Sequence, residues 1–226
     1  MSSTTQPIIP VLPLNTVLFP GMVLPLEVRN PGERQVINLC LDSDMPFGVV
    51  LGRPAPLGFE ALPHQIGTAA YITNYEPLDE HHVKVRAVGS ERFMVTHFYR
   101  QGEIMTAAVI PYPIQETEDP RVRTLAAQLR PLVQTYLDAL ETLFGQPLTT
   151  EEIPENALAL ACFTAVVLQV PNALKQALLS IATLPEMLLA EQRLIHRELF
   201  LVYHMRDMRG HEPPLVDTPL GRVSLN

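Results

Sequence analysis

The hydrophobic period of this chain changes once, near Pro111–Pro120. Before it, apolar residues alternate or come in short runs; after it, they recur every three to four residues. Successive side chains of a strand face opposite sides, whereas a helix returns to one face every 3.6 residues. A β-rich part must therefore precede a helical one. The expected fold class is α+β in series: residues 1–115 β-rich, 116–208 a bundle of about four helices, and 209–226 an extended tail.

In the β part, Ile8–Leu14, cut by Pro10 and Pro13, reads as an edge strand. Val23–Val28, Phe47–Leu51, Ile66–Tyr75, His82–Val88, Arg92–Tyr99 and Ile104–Ile110 are further strands, with Gly89-Ser90 and Gly102 as turns. Phe93, Val95 and His97 are expected on one face. This spacing predicts a small barrel or sandwich rather than a βαβ sheet. Asn30-Pro31-Gly32-Glu33 starts a short helix by a capping box. In the helical part, Asp119-Pro120 opens a helix over Arg121–Phe144 that Gly145 ends. Thr149 with Glu152 caps a helix running through Val170, Ala173–Ile181 is short, and Thr183 with Glu186 caps Leu184–Met208.

Composition removes several functions. The net charge is −8, from 16 basic and 24 acidic residues, and no Lys/Arg stripe offsets it, so nucleic acid is not an expected partner. Cys40 and Cys162 belong to no CxxC pair and are expected to be two buried thiols. No metal and no cofactor is expected. Met1–Gln6 lacks the features of a signal peptide, and the longest apolar run, Ala157–Val170, is shorter than the roughly 20 residues of a membrane span. A cytoplasmic protein without a membrane partner is the expectation.

Catalytic sets are likewise absent from the pattern. Neither Lys84 nor Lys175 follows a glycine-rich phosphate loop, and Ser180 lies five residues after Lys175, on another helical face. His81-His82 is the one histidine cluster, and strand neighbours point apart. No catalytic residue is assigned. What remains is apolar. Leu18-Phe19-Pro20-Gly21-Met22 combines hydrophobic side chains with turn chemistry, and turns lie at surfaces. Phe19 and Met22, with Phe59 in the Gly/Pro-rich loop Gly52–Pro63, are the candidate substrate-binding patch. The alternative, favoured by the residues alone, has them fold back as core plugs.

These residues also carry a resemblance. Ile9-Pro10-Val11-Leu12-Pro13-Leu14 followed by Val17-Leu18-Phe19-Pro20-Gly21-Met22-Val23-Leu24-Pro25-Leu26 resembles the opening of the N-terminal domain of Lon-type proteases. Ser43–Val50, Gln65–Ala70 and Val88-Gly89-Ser90-Glu91-Arg92-Phe93 are similar to later blocks, and the resemblance covers about residues 7–208. Val28-Arg29-Asn30-Pro31-Gly32 departs from the family, which has aromatic and basic-aromatic residues there. The resemblance implies a PUA-like β pseudo-barrel followed by a helical bundle. It implies a free-standing, non-catalytic module that binds unfolded or tagged protein or peptide clients, as an adaptor in protein quality control, with a separate ATPase or protease as a further partner. Analogy with PUA-like folds leaves a small-molecule or nucleotide binder as the alternative.

Overall fold

The structure is a computed structural model that describes residues 6–53, 62–79, 81–145, 152–210, 216–218 and 221–223. Strands β1 (Ile8–Leu14), β2 (Val23–Val28), β3 (Phe47–Leu51), β4 (Ile66–Pro77), β5 (Val83–Gln101) and β6 (Ile104–Pro111) come first, with helix α1 (Pro31–Ser43) between β2 and β3. Helices α2 (Pro120–Phe144), α3 (Ala157–Val167), α4 (Asn172–Leu179) and α5 (Leu184–Gly210) follow, then a small hairpin of β7 (Val216–Thr218) and β8 (Gly221–Val223).

The first six strands form one sheet in the order β2-β5-β4-β3-β1-β6, and a further β5–β6 pairing joins β6 back to β5. Five strands thus close into a ring, which leaves few free edges, and β2 hangs on the first half of β5. All pairings in this sheet are antiparallel except β1 with β3. β1 is not the edge strand that its prolines suggested. It lies between β3 and β6, but β6 pairs with Ile8–Val11 and β3 with Val11–Leu14. Pro10 and Pro13 each sit where the strand has one neighbour, so neither costs a ladder bond on a second side.

Gly89-Ser90 is not a turn either. The strand continues through it with a shift of register against β4, and two expected strands are one 19-residue strand, β5. The glycine is there for space: a Cβ on Gly89 would lie 2.5 Å from the Phe19 carbonyl oxygen and 3.0 Å from Leu18 Cγ. Its backbone donates to the Met22 carbonyl and accepts from the Gly21 N–H. Gly89→Ala is expected to lower stability by about 2 kcal/mol, a typical overpacking cost, read from urea unfolding midpoints. Farther along β5, a register shift between Val95 and His97 breaks the alternation. Phe93 and Val95 are buried as expected, whereas His97 turns outward.

Helix α1 starts as expected: the Asn30 side chain accepts from Gly32 and Glu33 N–H, and Pro31 sits in the first turn. Asp119 likewise caps α2 by accepting from Arg121 N–H, and Gly145, with φ 66°, ends it. Helix α3 begins later than expected. Asn156 takes the cap by accepting from Leu158 and Ala159 N–H, and Pro154 keeps Ile153 out of the helical region; Thr149 lies outside the described residues. Helix α5 starts at the expected place, but the Thr183 hydroxyl is buried without a partner, so no capping box forms.

The core has three parts. Leu12, Leu24, Val36, Ile37, Phe47 and Val85 pack α1 against the ring. Val11, Val50, Phe93, Val95, Ala107 and Val109 form a second cluster. The largest joins the helices, around Leu129, Tyr136, Leu160, Leu168 and Leu188, and takes in Val17, Phe19 and Leu51 from the β part. Cys40 and Cys162 are buried free thiols, as expected, and burial pushes each pKa up to about 11. No described helix is long and apolar enough to cross a membrane.

Candidate functional site

The seam between ring and bundle is where polar groups converge. The connector after β6 and the segment between α4 and α5 are laced together: Gln115 N–H donates to Ala182 O at 2.8 Å, and Leu184 N–H to Gln115 O at 2.9 Å. A helix leaves its last carbonyls without intrahelical donors. At the end of α4 the β part supplies them. Arg92 Nη1, from β5, donates to Leu179 O at 2.6 Å and to Ile181 O at 2.7 Å. The Tyr112 hydroxyl donates to Ser180 O at 3.0 Å. A cation there also suits the negative end of the helix dipole. The guanidinium lies 4.9 Å above the Tyr112 ring centroid, a cation–π contact. Arg92 is 4% exposed, and its Nε and Nη2 have no hydrogen-bond partner. Burial pushes its pKa down, while Tyr112 and Cys162 favour the charged form.

Beside Arg92 lies a cavity of about 390 Å³. Ser90 and Glu91 of β5, Pro111 at the end of β6, Ile114 of the connector, and Leu158 and Cys162 of α3 line it. Leu158 and Cys162 are four residues apart and share a helix face. On α5, Glu191 is buried with neither carboxyl oxygen partnered. Desolvation raises its pKa well above the usual value of 4.5.

Of the candidate patch, Phe19 and Met22 lie within the described residues. Phe19 is 1% exposed and packs into the helical core, so of the two outcomes weighed, surface patch or core plug, it takes the favoured one, the plug. The residues from Leu18 to Met22 do turn, and Gly21 is exposed at the turn, but Phe19 packs into the helical core. Met22 is half-buried, and Phe59 lies outside the described residues. Another row faces outward instead. Val23 pairs with Val88 and Val88 with Tyr71 across β2, β5 and β4. Cross-strand partners share a face, and Val23 and Tyr71 are 53% and 47% exposed.

Lys175 Nζ donates to Val166 O at 3.0 Å and Ser180 Oγ to Gln176 O at 2.7 Å, so backbone carbonyls hold both. His81 and His82 diverge: Nδ1 of His81 is 3.4 Å from Arg34 Nη1, and Nε2 of His82 accepts from Arg29 Nε at 3.4 Å. No described group of three or more His, Cys, Asp or Glu side chains could hold a metal ion.

Comparison with known proteins adds a family. The profile of the ATP-dependent protease La (LON) substrate-binding domain matches residues 8–197. Lon protease 2 of Myxococcus xanthus is 28% identical over 199 residues, covering 84% of this chain and 24% of that protein. Protein cereblon of Danio rerio is 32% identical over 133 residues, covering 57% of this chain and 30% of that protein. The chain thus spans less than a third of the length of these relatives. Among solved structures, the N-terminal domain of a Mycobacterium avium complex Lon protease aligns with a TM-score of 0.65 at 20% identity, covering 84% of this chain and 98% of that one. A Lon N-terminal domain protein from Xanthomonas campestris aligns at 0.56 and 21%, covering 83% and 97%. At such identities the likeness is one of fold.

Proposed function

This chain belongs to the family of the ATP-dependent protease La (LON) substrate-binding domain, and from that premise we propose that it is a non-catalytic module that binds protein or peptide substrates. The match over residues 8–197, which takes in both the ring and the helices, carries the reading. Its clients are unfolded or tagged polypeptides, it serves as an adaptor in protein quality control, and a separate ATPase or protease does the chemistry. The commitment of Lys175 and Ser180 to backbone carbonyls is consistent with a module that does not cleave. With Phe19 in the core and Met22 packed against it, the client contact moves to the row Val23–Val88–Tyr71. An apolar row on a sheet face suits clients whose own apolar segments are exposed.

The purified chain should retain reduced, unfolded α-lactalbumin in size-exclusion chromatography and leave it uncleaved. Val23→Asp with Tyr71→Asp is expected to weaken retention by about tenfold, since a few central residues dominate such contacts. The melting temperature should stay within about 2 °C, because both positions are exposed. Retention untouched by the double variant would remove this face from the account.

A further inference from the structure

The large sheet ends on β2, which pairs with β5 alone. The register shows which of its backbone groups are spent. Gly89 N–H donates to Met22 O and Gly89 O accepts from Gly21 N–H, so Gly89 faces β2. Leu78 N–H donates to His82 O, so His82 faces β4. Successive residues of a strand point their backbone groups to opposite edges. In β5, Val83, Val85 and Ala87 therefore bond to β2, through their partners Val28, Leu26 and Leu24. Val23, Pro25 and Glu27 point the other way. They offer two N–H donors, at Val23 and Glu27, and three carbonyls, none with a described partner. Proline has no N–H to leave open, which suits it to the middle outward position. All three residues are exposed. The far half of β4 also lacks a second neighbour, but a register shift between Ile72 and Asn74 interrupts it, and a bulge turns an edge away from pairing. The pairing of β2 has no such shift.

We propose that an extended segment of an unfolded client adds to β2 as a further strand, held by the outward backbone groups of Val23, Pro25 and Glu27. The proposal rests on the substrate-binding reading above and gives that same site a bonding mode. Val23 belongs to both surfaces: its backbone lies on the open edge, and its side chain stands in the outward row with Val88 and Tyr71. A client side chain beside Val23 lengthens that row by one position, and an apolar one is favoured there. Glu27, at the other end of the edge, disfavours an acidic residue beside it. An unfolded chain fits because its own N–H and C=O groups are unpaired, whereas those of a folded partner are already bonded. In either direction the added strand makes five bonds: two at Val23, two at Glu27 and one to the Pro25 carbonyl.

The test is amide hydrogen exchange of the whole chain, followed by NMR, alone and with saturating reduced, carboxymethylated α-lactalbumin. The Val23 and Glu27 amides should exchange at least about tenfold more slowly in the bound chain. Glu27→Pro removes one outward donor and no bond to β5. It should bind the client about fivefold more weakly than Glu27→Gln, which changes the same side chain but keeps the N–H. Pro25→Val supplies the missing donor and should tighten binding about fivefold, the usual worth of one hydrogen bond. Val23 and Glu27 amides that stay unprotected in the bound chain overturn the proposal, as does binding indifferent to Glu27→Pro and Pro25→Val. Protection that appears in the chain alone and grows with its concentration also overturns it, because a second copy then fills the edge. If α-lactalbumin binds and Val23→Asp with Tyr71→Asp weakens it while the two amides stay unprotected, the edge fails and the substrate-binding reading stands. If α-lactalbumin does not bind at all, both fall.

Discussion

Glu191→Leu is expected to stabilise the protein by about 3 kcal/mol at pH 7 and raise its melting temperature by roughly 5–10 °C. The residue lies in the bundle core, fully buried, with both carboxyl oxygens unpartnered. An unpaired polar group in such a place costs about 1–3 kcal/mol in proteins. Leucine has similar volume and no such group. The pH dependence follows from the same burial. Desolvation raises the Glu191 pKa well above the usual 4.5, so the folded chain keeps a proton that the unfolded chain loses above that pH. The unfolded state then binds fewer protons than the native one, and stability falls as pH rises from about 4.5 towards the folded pKa. The slope approaches 1.4 kcal/mol per pH unit. Glu191→Gln removes the titration, so the gap between variant and wild type should widen from pH 5 to pH 7 in urea unfolding. A gap independent of pH would show that Glu191 is ionised, or paired, in the folded protein.

The opposite effect is expected at Arg92. Arg92→Met should cost about 3 kcal/mol and lower the melting temperature by about 10 °C. It leaves the Leu179 and Ile181 carbonyls without donors, at about 1–3 kcal/mol for each unsatisfied group. It also removes the cation from the Tyr112 ring. Relief of the unpartnered Nε and Nη2 offsets part of this. The effect is specific to the seam, so Arg92→Met with Tyr112→Phe should cost less than the sum of the two single changes. A cost below about 1 kcal/mol for Arg92→Met would mean that the end of α4 finds other donors.

The two residues with the largest expected effects were the least legible ones. Arg92 was visible only within the block Val88–Phe93. Its partners are backbone carbonyls 87 and 89 residues away, and a carbonyl has no sequence signature. Glu191 did leave a signal. It sits on the stripe Leu184, Met187, Leu188, Glu191, Ile195 and Leu199, so the helical spacing alone put a carboxylate on a buried face. By contrast, β1, β2 and β3 were readable to the residue, because each is an apolar run closed by proline, glycine or polar residues. Where the reading failed, one local signal had two structural meanings. Gly89 marks a close approach rather than a turn, and Pro10 and Pro13 mark half-paired positions rather than an edge. Phe19 shows the same ambiguity: turn chemistry at Pro20-Gly21 is local and left surface patch and core plug both open, and helices more than 100 residues later decide for the plug.

The central claim is that this chain holds protein substrates without cutting them. Fluorescence anisotropy of a labelled, permanently unfolded polypeptide, titrated with the purified chain in the presence and absence of ATP, tests it most directly. The account predicts saturable binding that ATP does not alter, with the polypeptide recovered intact by mass spectrometry and the binding weakened by Val23→Asp with Tyr71→Asp. No binding up to about 100 μM, weaker than about 5.5 kcal/mol of association free energy, or recovery of cleaved polypeptide, would contradict it.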